Sequence, residues 1–124
     1  MSELAIWSEY PDFDKSEFDC KETGANEMTH HFMTLLQKLR TAYGKSIVPS
    51  SGYRSPKHSA EAHKEAPGTH AQGIAVDIPC RGKDAYTIIE LGLNFGFKGI
   101  GISQKGDKRF IHLDLREFPT IWSY

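Results

Sequence analysis

The sequence predicts an α+β fold: a small antiparallel sheet with helices packed on one face, built by one domain over residues 1–124. Three observations predict it. Two segments repeat apolar residues at helical spacing, and several short runs alternate apolar and polar residues as strands do. The chain has 124 residues, enough for one compact core and too few for two.

The elements follow in chain order. The opening segment, MSELAIWSEYPDF, carries acids where a signal peptide carries basic residues, and no apolar stretch follows. The first helix is marked by Phe32, Leu35, Leu36, Leu39 and Tyr43, which recur at intervals of three and four residues, and Gly44 closes it. A short extended run is expected at 46–50. From 51 to 70 the chain is rich in Gly, Pro, Ser and His, with a short helix expected over 60–65; so long an irregular segment points to function. A strand follows at 73–79, with Ile74, Val76 and Ile78 on one face and Ala75 and Asp77 on the other. The second helix begins near Asp84, the expected N-cap, runs through Ile88, Ile89 and Leu93, and stops at Gly96. Strands at 99–103 and 109–115 complete the set. In the last of these Ile111, Leu113 and Leu115 form the apolar face, while Phe110, His112 and Asp114 form the opposite one. If the strands at 73–79 and 109–115 are neighbours, Asp77 and His112 project from the same side of the sheet, away from the helices.

Composition narrows the function. Hydrophobic residues make up 39% and charged residues 25%, with a formal net charge of −1. Such a chain has no electrostatic reason to seek nucleic acid or anionic lipid, and no basic stripe for reading bases. Its apolar runs are far too short to span a membrane. Neither nucleic acid nor membrane is therefore expected as a partner, and the chain is expected to act as a monomer. The two cysteines, Cys20 and Cys80, are expected to be free thiols, and their spacing is not that of a thiolate zinc site.

Six histidines raise the question of a metal. His30, His31 and His63 read as solvated positions, and His58 and His63 are spaced to point apart on a helix. There is no H-E-x-x-H pair. His70, Asp77 and His112 differ: a catalytic zinc takes three nitrogen or oxygen ligands and keeps one position for water. Two imidazoles and a carboxylate meet that need, and the ion they hold can acidify its water and polarise a carbonyl. Spacing alone does not decide for the metal: Asp77 as a loop cap and His112 as a buried, hydrogen-bonded histidine remain open.

Three ordered strings go further: SGYRSPKH at 51–58, GTHAQGIAVD at 68–77 and FIHLD at 110–114. Together they resemble the metallopeptidase superfamily named for lysostaphin, D-Ala-D-Ala peptidases and Sonic hedgehog, and most closely its small D-Ala-D-Ala carboxypeptidase-like branch, which has many phage members. The resemblance extends to SEFDCKETG, LRTAYG, GFKGIGISQ and IWSY, nearly the whole chain. It implies a Hedgehog/DD-peptidase-like fold, Zn2+ as cofactor, and His70, Asp77 and His112 as its ligands.

The resemblance also implies roles for other residues. Arg54 would face the scissile carbonyl or a substrate carboxylate, a task suited to a permanently charged fork of donors. Ser51, Tyr53 and His58 are lesser candidates for substrate contact. Gly52, Gly68 and Gly73 would serve backbone geometry, and Trp122 would cover a cleft edge or fill the core. Many relatives carry an acid three residues before the last zinc histidine; here that position is Arg109, which accepts no proton. Asp114 is the favoured replacement, as general base or as a group orienting a ligand, with Asp107, Glu61 and Glu65 as alternatives. The implied reaction is hydrolysis of peptidoglycan stem peptides at D-Ala-D-Ala or L-Ala-D-Glu bonds. With no export signal, the protein is expected to be made in the cytoplasm, which fits a phage lysis enzyme released to the wall, an enzyme carried on a virion, or an intracellular recycling enzyme. A non-catalytic zinc-binding virion or interaction domain is the alternative.

Overall fold

The computed structural model describes residues 3–124, so the first two residues of the expected domain lie outside the described residues. Two helices and four strands follow one another as α1 (His30–Tyr43), β1 (Ala75–Pro79), α2 (Gly82–Asn94), β2 (Gly99–Ser103), β3 (Phe110–Asp114) and β4 (Thr120–Ser123). The fold is α+β, as expected.

Helix α1 forms where the periodicity places it. Thr29 caps its start, its Oγ1 accepting from the Phe32 N–H at 3.3 Å. Gly44 ends it in the left-handed region at φ 74°, donating its N–H to the Arg40 carbonyl. Phe32, Met33, Leu36 and Leu39 are buried. Helix α2 begins three residues earlier than expected: Arg81, not Asp84, is the N-cap, and its side chain makes no cap hydrogen bond. Asp84 lies instead in the first turn, where its charge suits the helix dipole and Lys45 approaches to 2.6 Å.

The sheet order is β1-β3-β2-β4. β3 runs antiparallel to both β1 and β2, but β4 runs parallel to β2, so the sheet is mixed and not antiparallel throughout. The connection explains the parallel pair. β3 ends at Asp114 beside Gly99, the start of β2, and the chain then crosses that end to lay Thr120 against Gly99 on the far side. Val76, Ile78, Ile100, Ile111 and Leu113 bury one face in the core beneath the helices.

Two local expectations are corrected, and one unannounced feature is added. Residues 46–50 form no strand; only Ser51 bridges to Asp77, and Pro49 offers no N–H to extend a ladder. Residues 60–65 form turns and no helix. The amino-terminal segment holds 3-10 turns at Trp7–Glu9 and Lys15–Phe18 that no sequence period announced. This segment contributes Tyr10, Phe13 and Phe18 to the core.

Candidate metal centre

The face of the sheet away from the helices carries the functional side chains because strand register aligns them. Asp77 pairs with His112 across β1 and β3, and Gly101 pairs with His112 and with Trp122 across β2, β3 and β4. One row of the sheet thus presents Asp77, His112, a gap at Gly101, and Trp122. The next row presents Ala75, Asp114, a gap at Gly99, and Thr120. The gaps are necessary. A Cβ on Gly99 would collide with the Asp114 carboxylate, and one on Gly101 would stand 2.8 Å from the Trp122 ring.

His70 arrives from the irregular segment before β1. Turn hydrogen bonds from Ala71 and Gln72 to the Gly68 carbonyl shape its approach. Gly73, at φ 73°, then lets the chain enter β1 hard against the Glu27 carbonyl, where any side chain would clash. The segment is tied down by Tyr53 N–H to Phe18 carbonyl and Arg54 N–H to His70 carbonyl.

The structure brings His70, Asp77 and His112 together. One ligand atom from each lies within 4.8 Å of the others, and all three residues are buried. Their remaining hydrogen bonds fix which atoms face the centre. His70 Nδ1 lies 2.8 Å from the Gly52 carbonyl, which leaves Nε2 toward Asp77 at 3.4 Å. His112 Nε2 lies 2.7 Å from Asp114, which leaves Nδ1 beside Asp77 Oδ1 at 3.0 Å. A histidine whose other nitrogen is held by a carboxylate or carbonyl is the usual arrangement around a protein metal. The two imidazoles and one carboxylate have the donor chemistry of an open zinc site.

Electrostatics match. Burial would raise the Asp77 pKa, but the imidazoles of His112 and His70 outweigh it and hold the carboxyl well below its usual range. Burial likewise opposes ionisation of Asp114, and His112 and Arg116 overcome it. His112 is raised: burial works to lower it, and the flanking carboxylates of Asp114 and Asp77 prevail.

Asp114 is fully buried, and both its oxygens are used. Arg116 grips them as a fork, Nε at 3.0 Å and Nη2 at 2.7 Å, and its guanidinium stacks 4.5 Å over the Trp122 ring. Trp122 in turn packs on His112, centroids 5.1 Å apart. Asp114 therefore stands behind His112, with Arg116 and Trp122 closing the arrangement.

The centre opens into a cleft of about 480 Å3. Arg54 lines it, its guanidinium 3.8 Å from Asp77 Oδ2 and 3.7 Å from Glu61 Oε2. Glu61 also lines it. Its buried carboxylate accepts from Lys64 Nζ at 2.8 Å and from the Gly68 N–H at 3.1 Å. Burial would raise the Glu61 pKa, but Lys64, the Gly68 N–H and Arg54 together lower it.

Other expected residues lie elsewhere. Tyr53 is buried and donates its hydroxyl to Glu27 at 2.9 Å. Ser51 spends its backbone on the bridge to Asp77. His58 faces Glu22 at 3.2 Å and pins the loop. Asp107 and Arg109 line a neighbouring groove, and Glu65 is exposed. His31 and His63 are exposed as expected, whereas His30 pairs through Nδ1 with the buried Tyr10 hydroxyl. Cys20 and Cys80 are free thiols. Arg116 and the Gly99/Gly101 gaps were not anticipated. Arg116 continues the alternation of His112 and Asp114, and glycine inside a strand signals close approach, so both had a signal.

A family model described as Peptidase M15 matches residues 11–114. The chain belongs to the peptidase M15 family. Members of M15 are zinc metallopeptidases of the D-Ala-D-Ala peptidase-like kind, and the match spans every strand and helix of this member except β4. It is a peptidase by family, and its buried His-Asp-His group fits a metal site. Comparison with curated proteins gives no match.

Proposed function

We propose that this M15 chain is a zinc peptidase that hydrolyses peptide bonds in peptidoglycan stem peptides, of the D-Ala-D-Ala or L-Ala-D-Glu type, in cell-wall lysis or remodelling. The observation that carries the reading is the convergence of His70 Nε2, Asp77 and His112 Nδ1 at the base of an open cleft in a chain of this family. These three residues would hold the ion. Zinc bound there supplies a Lewis acid for the carbonyl and lowers the pKa of a bound water to about 7.

The chain's own groups do the rest. Arg54, poised between Asp77 and Glu61, donates to the carbonyl oxygen as it gains charge. Among the described residues, Glu61 and Asp77 are the carboxylates that line the cleft. With Asp77 assigned to the ion, proton transfer falls to Glu61: its Oε2 exchanges the exposed Lys64 ammonium for the attacking water, takes a proton from it and returns that proton to the leaving amine. Asp114 does not line the cleft, and its oxygens are held by His112 and Arg116 behind the centre. We assign it to holding His112 in the tautomer that presents Nδ1.

The test is digestion of purified peptidoglycan by the zinc-loaded protein, with products identified by mass spectrometry. Wild type should release defined peptides, and Glu61→Gln should cut roughly 10²–10⁴-fold more slowly while keeping one zinc per chain. His70→Ala, Asp77→Ala and His112→Ala should each abolish stoichiometric zinc; retention of the ion in any of them would undo the ligand set. Full zinc occupancy with no cleavage by wild type would favour the alternative, a binding domain that keeps its metal. The engagement of Glu61 by Lys64, Gly68 and Arg54 is the observation on that side.

A further inference from the structure

A second groove, of about 620 Å3, adjoins the metal cleft, and Phe110 lines both. The groove is also lined by Ser50, Arg81, Asp107, Lys108 and Arg109. Three cations thus face it against a single carboxylate. The arginines decide its character. Arg40, Arg54 and Arg116 each face a carboxylate. Arg81 and Arg109, the chain's two others, make no ion pair among the described residues, and both line this groove.

Their heads are nevertheless placed. Arg81 Nη2 donates to the Asp107 carbonyl at 3.1 Å, and Arg109 Nε donates to the Gly106 carbonyl at 2.9 Å. Each guanidinium is anchored to the β2–β3 turn by one donor and keeps the others for a ligand. A pre-placed guanidinium with free donors suits a carboxylate, which it can bind through two parallel hydrogen bonds. Reach is also suitable. Phe110 stands two residues before His112 on the same strand face, about 6.6 Å away along β3. That is the span of about two residues of extended peptide.

We propose that this groove is a substrate subsite for a carboxylate carried by the peptide about two residues from the bond that is cut. The subsite rests on the peptidase reading for its purpose, but its binding chemistry stands apart from turnover. It makes the enzyme selective for acidic peptides, and Arg81 and Arg109 are the residues that determine this selectivity.

The experiment uses the zinc-loaded protein and a matched pair of short D-amino-acid-containing peptides, one with glutamate and the other with glutamine at the same position. Affinity is followed by NMR titration and cleavage by steady-state kinetics, at low and high salt. Wild type should bind the acidic peptide about three- to ten-fold more tightly than the amide, the range for accessible charge-assisted contacts. Salt should erode the difference, and the shifted resonances should include the 104–110 segment. In Arg81→Gln/Arg109→Gln the acid-over-amide ratio should collapse to near one. Both side chains lie at the surface, so an unchanged melting temperature checks folding, and Arg81→Glu alone, which leaves two cations against two carboxylates, should abolish the preference. Equal binding of the two peptides by wild type overturns the subsite, as does a preference that survives in the double variant. Acid-selective binding without cleavage of either peptide would leave the groove in place and remove the peptidase reading instead.

Discussion

At Asp114 a carboxylate is removed from water and spent on two neighbours, His112 at 2.7 Å and the Arg116 fork. A buried charge is tolerated only when paired and hydrogen-bonded, and here the pairing fixes the orientation of a metal-site imidazole. Asp114→Asn keeps the shape and removes the charge. It should lower zinc affinity about 10–100-fold, the usual scale for loss of a group that orients a metal ligand. Competition with a chromophoric chelator measures this, and unchanged affinity would return Asp114 to an unassigned role. The same carboxylate needs the space left by Gly99. Gly99→Ala should therefore destabilise the fold by about 1–3 kcal/mol, as overpacking does, and weaken zinc binding with it. Urea unfolding and the chelator assay read the two effects separately.

Among the elements, α1 and β3 are the best defined by their own residues. The Thr29 cap satisfies one orphan N–H of α1, and Thr29→Ala should cost about 1 kcal/mol in urea unfolding. β3 was legible through alternation alone: Ile111 and Leu113 to the core, His112 and Asp114 to the site. β1 was legible for the same reason. β4 was not, because its four residues, TIWS, carry too short a pattern and its partner lies across a crossing connection. The run at 46–50 misled in the opposite sense. Ile47 is buried in the core and Val48 is exposed, while Pro49 keeps the backbone out of the ladder. Asp84 misled as a cap because Asp also favours the first turn of a helix, two or three positions further in.

Over the whole molecule, several titratable groups are held away from their ordinary pKa values, and the direction of each sets the pH response. Burial pushes the Cys80 thiol from 9.0 up to about 11, and burial together with Glu27 pushes the Tyr53 hydroxyl from 10.0 up to about 12. A group whose folded pKa is raised contributes stability in full below its unfolded pKa and loses it as pH climbs to the folded value. Urea-unfolding stability should therefore decline from about pH 9 towards 12, and Cys80 should resist alkylation at pH 8, becoming reactive only as pH approaches about 11. Asp77 and Asp114 act at the other end, being lowered despite burial by their imidazole and guanidinium partners. Their contribution is present above the ordinary carboxylate range and is lost as pH falls through and below it. Stability of the metal-free protein should thus fall off on both sides of neutrality, and a profile flat from pH 4 to 11 would contradict the pairings described.

What the sequence alone determined was periodic or ordered along the chain. Helical spacing identified α1 and α2, alternation put Asp77 and His112 on one strand face each, and three ordered strings singled out His70, Asp77, His112 and Arg54. These are local properties, fixed by backbone geometry and the period of side-chain direction. Tertiary structure alone decided which distant groups share one small volume. Register between β1 and β3 set Asp77 beside His112, and the crossing after β3 carried Trp122 to the same row. The turns at 60–68 brought Glu61 to Arg54, and the β2–β3 turn gathered Arg81 and Arg109 at one groove. Proton transfer, orientation and substrate selectivity all depend on distances of a few ångströms between residues far apart in sequence. A one-dimensional pattern contains no such distances; they exist only once the chain has closed its loops around a common core.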